Sequence, residues 1–299
     1  MQLQFLPPDR LRDYIDYCKK HRNEVDDSYI YDEDLNAFVP GNQYPTYIVI
    51  NEDNQIIAAA SVILDEYWKG LKKAKLAILH SEIPDVEIYK LFLDALKKHT
   101  EGFNGLYVFV PLKETATLEI FKNIGFTTER YAFLLVYNHP DFQHNDLPQG
   151  YEIRPMRRGI DEQAWCDVRN AAFATLKGSE TPLSVERLEL IIKDTDYLED
   201  GLMILYHGDK PVGVVRGADD EYNGHRVMNV GAVGIIPTYQ GKGLGRYLLR
   251  AALNFAFENS YDQAVLSVNA DNERAKSLYL REGFVQAEGF VEFKYPLNG

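Results

Sequence analysis

The sequence is poor in several features that would mark a special environment. Cysteine occurs twice in 299 residues, at Cys18 and Cys166. Two thiols cannot build a disulfide framework or a cysteine-based zinc site, and no metal is expected. No apolar run approaches the roughly 20 residues a bilayer-crossing helix needs, so no membrane segment is expected. The opening stretch Met1–Arg10 lacks a basic segment followed by an apolar one, and a cytoplasmic location is the simplest expectation. Positive charge is in deficit, with 32 Lys and Arg against 45 Asp and Glu and a net charge of −13. Nucleic-acid binding rests on neutralising phosphates, so no nucleic-acid partner is expected. An acidic balance is compatible with a cationic small molecule, although net charge does not locate a cleft.

What is present is the balance of a globular chain, 45% hydrophobic and 26% charged. The length fits two domains of ordinary size. The second half has the clearer pattern. Tyr151–Pro155 reads as a strand, and residues 161–174 have the apolar spacing of a helix. Leu202–Tyr206 and Pro211–Val215 flank a turn at His207–Lys210, a hairpin signal. A second turn is expected over Asp219–Gly224, followed by a strand from Val227 to Ile235. A helix over 245–259 would bury Tyr247, Leu248, Ala251, Ala252, Phe255 and Ala256. Ala264–Val268 is a strand, Asn272–Glu282 a helix stopped by Gly283, and Phe290–Tyr295 a final strand.

The first half repeats this order. Pro7 and Pro155 stand at the same offset as Cys18 and Cys166. The hairpin over 47–57 matches 202–212, Asp65-Glu66-Tyr67 matches Asp220-Glu221-Tyr222, and Phe121 with Gly125-Phe126 matches Tyr279 with Gly283-Phe284. Correspondences in one order with slowly drifting offsets predict a tandem repeat of whole domains. The expected division is a first domain over 1–140, a linker over 141–150 and a second domain over 151–299. The join falls in His139–Gly150, where Pro, Asp, His, Asn and Gly replace periodic structure.

Gln240-Gly241-Lys242-Gly243-Leu244-Gly245 separates a strand from a long amphipathic helix. Glycines there allow close backbone approach to a ligand, and the helix N-terminus favours an anion such as a phosphate. Lys242 and Arg246 add positive charge. The same loop would also serve as a plain strand-to-helix turn. It lacks the Gly-Lys-Ser/Thr ending of a P-loop and the Gly-x-Gly-x-x-Gly spacing of dinucleotide-binding folds.

The stretch Ile235–Gly245 resembles motif A of the GNAT superfamily, the Gcn5-related N-acetyltransferases, with its Gln/Arg-x-x-Gly-x-Gly/Ala core. Val268–Ala275, followed by Tyr279 and Gly283-Phe284, looks like the family's motif B. The resemblance implies an α/β fold of two tandem GNAT-like domains, each with a central mixed, mostly antiparallel sheet flanked by helices. It also implies acetyl-CoA as donor substrate. The pantetheine arm would run along Val233, Gly234 and Ile235. The pyrophosphate would meet Gln240 and the amides of Gly241, Lys242, Gly243, Leu244 and Gly245, with Arg246 and Asn272 as further contacts. Asn272 is equally suited to be a plain helix N-cap.

Tyr279 aligns with the family's general acid, and a phenol suits proton donation to a thiolate. It would also pack as a core tyrosine beside Ala275 and Leu278. The family's carboxylate base falls here on Asn229, which cannot take a proton. Glu221, with His225 beside it, is the candidate to act in its place through a water.

In the first half the loop position reads Leu79–Glu87, without glycine and with three carboxylates and a proline. Asn272 and Tyr279 correspond to Glu114 and Phe121. The first domain is therefore expected to have lost the donor site and to be a structural partner that shapes the acceptor cleft or the interface between repeats. Tandem members of the family act on small amines, so the expected partner is a small-molecule amine, with the protein a monomer or homodimer. One rival is an acyl-CoA-binding sensor without turnover, suggested by Asn229. Another is an aminoacyl-transferring protein using charged tRNA, against which the acidic balance counts.

Overall fold

The computed structural model describes residues 1–26, 28–138, 142–176, 178–179 and 181–297. Residues 139–141, where the expected join begins, lie outside that set, as do residues 177 and 180 of the stretch after the first helix of the second half. The chain divides into two compact units. The first comprises Met1–Ala132, Asn269–Asp271 and Glu288–Gly299, and the second Phe133–Val268 and Asn272–Ala287.

In chain order the first unit builds β1 (Gln2–Phe5), α1 (Leu11–His21), α2 (Asp32–Ala37), β2 (Thr46–Ile50), β3 (Ile56–Ile63) and α3 (Glu66–Gly70). Then come β4 (Ala74–Ser81), α4 (Val86–Leu96), β5 (Gly105–Pro111), α5 (Thr115–Asn123) and β6 (Thr127–Tyr137), whose residues from Phe133 onward belong to the second unit. The second unit has β7 (Tyr151–Pro155), α6 (Glu162–Phe173), α7 (Val185–Ile192), β8 (Tyr197–His207), β9 (Lys210–Tyr222) and β10 (His225–Ile235). The chain continues with α8 (Leu244–Glu258), β11 (Ala264–Asn269), α9 (Glu273–Arg281) and β12 (Val285–Pro296), whose residues from Glu288 onward belong to the first unit.

Within the first unit the strands follow the order β1-β2-β3-β4-β5-β12, and within the second β11-β10-β9-β8-β7. The described pairings are antiparallel except β4 with β5 and β10 with β11. The sheet in each unit is thus mixed and mostly antiparallel, with helices packed on it. Strand β12 comes last in the sequence, yet from Phe290 to Pro296 it pairs with Pro111 to Gly105 of β5 in the first unit. Its side chains supply Val291 and Phe293 to that unit's core.

Helix α8 buries Leu244, Leu248, Leu249, Ala252, Leu253 and Ala256. The expected face is rotated slightly, since Tyr247, Ala251 and Phe255 lie at its partly buried margin. Full burial of such leucines stabilises by about 2 kcal/mol each. The turn expected over Asp219–Gly224 is shorter. Strand β9 runs through Tyr222, and only Asn223 (φ 53°) and Gly224 (φ 76°) turn the chain. Asn-Gly readily takes the positive φ of a two-residue hairpin, so the preceding acidic residues stay extended. Asp65–Tyr67 takes the other course. Asp65 caps α3 by accepting from Trp68 N, so this sequence match to 220–222 is not a match of local structure.

Among the described residues, no helix is long and apolar enough to cross a membrane.

Candidate active site

The site grows out of the parallel strands β10 and β11. Their register holds at Met228↔Ala264 and Asn229↔Val265, and no later pair is described. Strand β10 meanwhile stays paired with β9 as far as Ile235↔Gly213. The edge of β10 that faces β11 beyond Asn229 thus presents its backbone to an opening gap. A bulge between Gly231 and Gly234 bends this stretch, with Ala232 at φ 51°. A left-handed non-glycine residue costs about 1–2 kcal/mol, a feature concentrated where a strand must be re-aimed. Val233 and Ile235 pack partly buried against the core. Gly234 is buried under α6, where a Cβ would come within 2.8 Å of Phe173 and 2.9 Å of Ala172.

The loop follows directly. Gln240 Nε2 donates to the Ile235 carbonyl at 2.9 Å, tying the loop to the strand end. Gly241 (φ 83°) and Gly243 (φ 77°) are both left-handed, and Gly243 is the N-cap of α8 without a side-chain capping bond. The first-turn amides of a helix have no carbonyl a turn earlier to bind. Among the described bonds outside regular helices and strands, none is donated by the amides of residues 241–245. A row of amides at a helix N-terminus is an anion site in its own right.

Three cations surround the loop. Lys242 Nζ lies over the Tyr239 ring, 4.6 Å from its centroid. Arg246 Nε is 2.7 Å from Glu282, whose other oxygen takes Arg250 at 2.6 Å, so this guanidinium is braced by the carboxylate. Arg274, which the sequence did not single out, brings Nη2 within 3.7 Å of where a Gly241 Cβ would stand. Asn272 caps α9 by accepting from Ala275 N at 3.2 Å.

Tyr279 is a buried member of the second unit's core, tilted against Phe284 at 6.0 Å. Burial pushes its hydroxyl up to about 12, so it stays protonated through the physiological range. At the other end of β10, Asn229 Nδ2 donates to Asp220 Oδ2 at 2.8 Å. Side chains alternate along a strand, so Asp220 shares a face of β9 with Val214, which packs against α6 residues such as Trp165 and Cys166. Glu221 is exposed opposite Arg226, on the other face from Asn229, and His225 is exposed at the start of β10. Asp220 was missed because the sequence put it in a turn rather than on a strand face.

The equivalent place in the first unit is differently furnished. Strands β4 and β5 are in register only at Ala74↔Leu106 and Lys75↔Tyr107. Lys75 thus stands where the second unit has Asn229, and it is buried with Nζ 3.1 Å from Asp26. Asp85 caps α4 by accepting from Glu87 N, a carboxylate where the second unit has a left-handed glycine. Phe121 is fully buried and stacked on Phe126 at 4.7 Å.

Residues 164–284 match the model of the acetyltransferase (GNAT) family. A mycothiol acetyltransferase from Kytococcus sedentarius is 28% identical over 152 residues, 51% of this chain and 51% of that protein. The chain spans about half the length of the curated relatives it matches first. Among solved structures, a Gcn5-related N-acetyltransferase from Sphaerobacter thermophilus superposes with a TM-score of 0.75 at 16% identity, covering 100% of this chain and 96% of that one. A tandem GNAT protein from the clavulanic acid biosynthesis pathway gives a TM-score of 0.70 at 11% identity, with 100% of both chains covered. At these identities the likeness to both structures is one of fold.

Proposed function

We propose that this chain, which matches the acetyltransferase (GNAT) family model through residues 164–284, moves an acetyl group from acetyl-CoA to a primary amine of a small molecule in a direct ternary complex. The observation that carries this reading is the pair of left-handed glycines, Gly241 and Gly243, at the N-terminus of α8 just beyond the point where β10 and β11 lose register.

The residues present fit the donor. The amides of 241–245 would bind the pyrophosphate, with Lys242, Arg246 and Arg274 adding positive charge. The backbone of Val233 and Gly234 would bond the pantetheine arm, while Ile235 already accepts from Gln240. Asn272 keeps its amide nitrogen for a ligand while its oxygen caps α9. When bound, the donor supplies an activated thioester carbonyl.

An amine attacks only when neutral, and the leaving sulfur needs a proton. Tyr279 would hold that proton. Its low-dielectric surroundings, which raise the phenol, would also make a thiolate in the same place more basic. For the base, what supports Asp220 over Glu221 is its bond to Asn229, the position of the carboxylate in related domains. Asn229 would then orient Asp220 rather than move a proton itself.

A sensor that binds acetyl-CoA without turnover is the second reading, favoured by Asn229 alone. Release of free CoA in a screen of small amines with acetyl-CoA separates the two. Turnover with at least one amine is expected, and binding without any CoA release across amines would favour the sensor. The mycothiol acetyltransferase relatives make mycothiol-related small molecules the first acceptors to try.

A further inference from the structure

His21, Glu24 and His80 of the first unit each offer a ligand atom, all within 4.8 Å of one another. His21 ends α1, Glu24 lies in the short turn after it, and His80 is near the end of β4. Counted from the last described parallel pair of each cleft, His80 holds the position that Gly234 holds in the second unit. There the glycine lets α6 lie directly on the strand; here an imidazole projects toward α1.

The contacts of the two rings have a directional logic. His21 Nδ1 is 2.8 Å from Glu24 Oε1, and His21 Nε2 is 2.9 Å from Glu82 Oε1. His80 Nε2 is 3.1 Å from Glu24 Oε2, and His80 Nδ1 is 2.7 Å from the Tyr17 hydroxyl. That hydroxyl has one hydrogen, which it donates to the Ile57 carbonyl at 3.2 Å. In that arrangement it accepts from His80 Nδ1–H, and the Nε2 lone pair faces a Glu24 carboxylate oxygen. A neutral His21 likewise has one N–H for two facing carboxylates. If Nε2 donates to Glu82, the Nδ1 lone pair also points at Glu24. Two nitrogen lone pairs and a carboxylate then converge with no hydrogen among them.

We propose that His21 Nδ1, His80 Nε2 and the Glu24 carboxylate bind a divalent transition-metal ion of the zinc type. Two histidines and one glutamate form an established zinc ligand set with room for a further ligand. Each ligating ring would donate its other N–H to an anchored acceptor, Glu82 for His21 and Tyr17 for His80, which is how metal-binding histidines are oriented. Lys20 Nζ pairs with the same Glu82 oxygen at 2.6 Å. The rings are buried, with centroids 4.4 Å apart and planes tilted by 31°. A cleft lined by Glu24, Ala77, His80, Phe109 and Thr117 provides an entry path. The sequence could not show this site, because its ligands come from separate elements and lack a recognisable spacing.

The test uses the full chain, stripped with a chelator and dialysed against zinc ion alone. One zinc per chain is expected, with micromolar affinity or tighter. Glu24→Gln should weaken binding at least tenfold, and His80→Gln should abolish it. Glu24 is half-exposed, so its variant retains the test should His80→Gln fail to fold. Acetyl-CoA binding to the second unit serves as a folding control, and zinc uptake is read without any enzymatic turnover. No zinc uptake by the native chain would overturn the proposal, as would equal uptake by Glu24→Gln.

Discussion

Just past Lys75 in the first unit and Asn229 in the second, a pair of parallel strands ends its described register at equivalent places. Beyond that point the two units differ in every chemically relevant respect. The second unit has two left-handed glycines, loop amides that donate none of the described bonds outside regular helices and strands, and three nearby cations. The first has an aspartate cap on α4, a buried lysine–aspartate pair and a histidine–carboxylate cluster. At the next helix, Tyr279 in one corresponds to Phe121 in the other, and both are buried aromatic core residues. The hydrophobic framework is thus common to both units, whereas the groups proposed to bind the anion and donate the proton are present only in the second. Packing is set by apolar surface, whereas a phosphate site depends on a few backbone angles that one side chain can abolish.

The contrast breaks most sharply at the hydroxyl. Tyr279→Phe should lower kcat about 100-fold or more while leaving acetyl-CoA affinity unchanged, as for loss of a general acid. Because burial raises this group to about 12, above its ordinary value near 10, its proton is fully held below pH 10 and is lost only as pH rises through about 12. The kcat profile of the native enzyme should therefore show no descending basic limb from Tyr279 below pH 10. Unchanged turnover in the variant would return Tyr279 to a packing role like that of Phe121.

A second substitution sharpens the choice of base. Asp220→Asn should reduce kcat/KM about 100-fold at neutral pH. Glu221→Gln, on the opposite strand face, should change it less than about twofold. The reverse pattern would restore Glu221.

Smaller effects are expected where the comparison concerns backbone. Gly243→Ala forces a side chain into a left-handed conformation costing about 1–2 kcal/mol, so acetyl-CoA binding should weaken roughly tenfold. An unchanged dissociation constant by calorimetry would contradict a role for this turn. Asn272→Ala should lose about 1 kcal/mol of stability in denaturant titrations, the ordinary value of an N-cap. Glu114→Ala should lose less than about 0.5 kcal/mol, because Glu114 makes no capping bond to α5.

Much of this architecture was legible in the sequence, for identifiable reasons. The glycine loop, the repeat and the alternation of strands and helices are local patterns, and local patterns survive in a single chain. Asp220 was hidden because a run of acidic residues before Asn223-Gly224 looks like a turn, although two residues suffice to make it. Arg274 and the bulge at Ala232 are positions with no local signature. The pairing of β12 with β5 could not be read, since a strand's own residues do not specify a distant partner. The His21, Glu24 and His80 cluster was invisible for the same reason.

The central claim, that only the second unit binds the acyl donor, is tested most directly by titrating the full chain with acetyl-CoA in a calorimeter. The account predicts one site per chain, weakened by Gly243→Ala. Two sites of equal affinity, or a single site indifferent to Gly243, would contradict it.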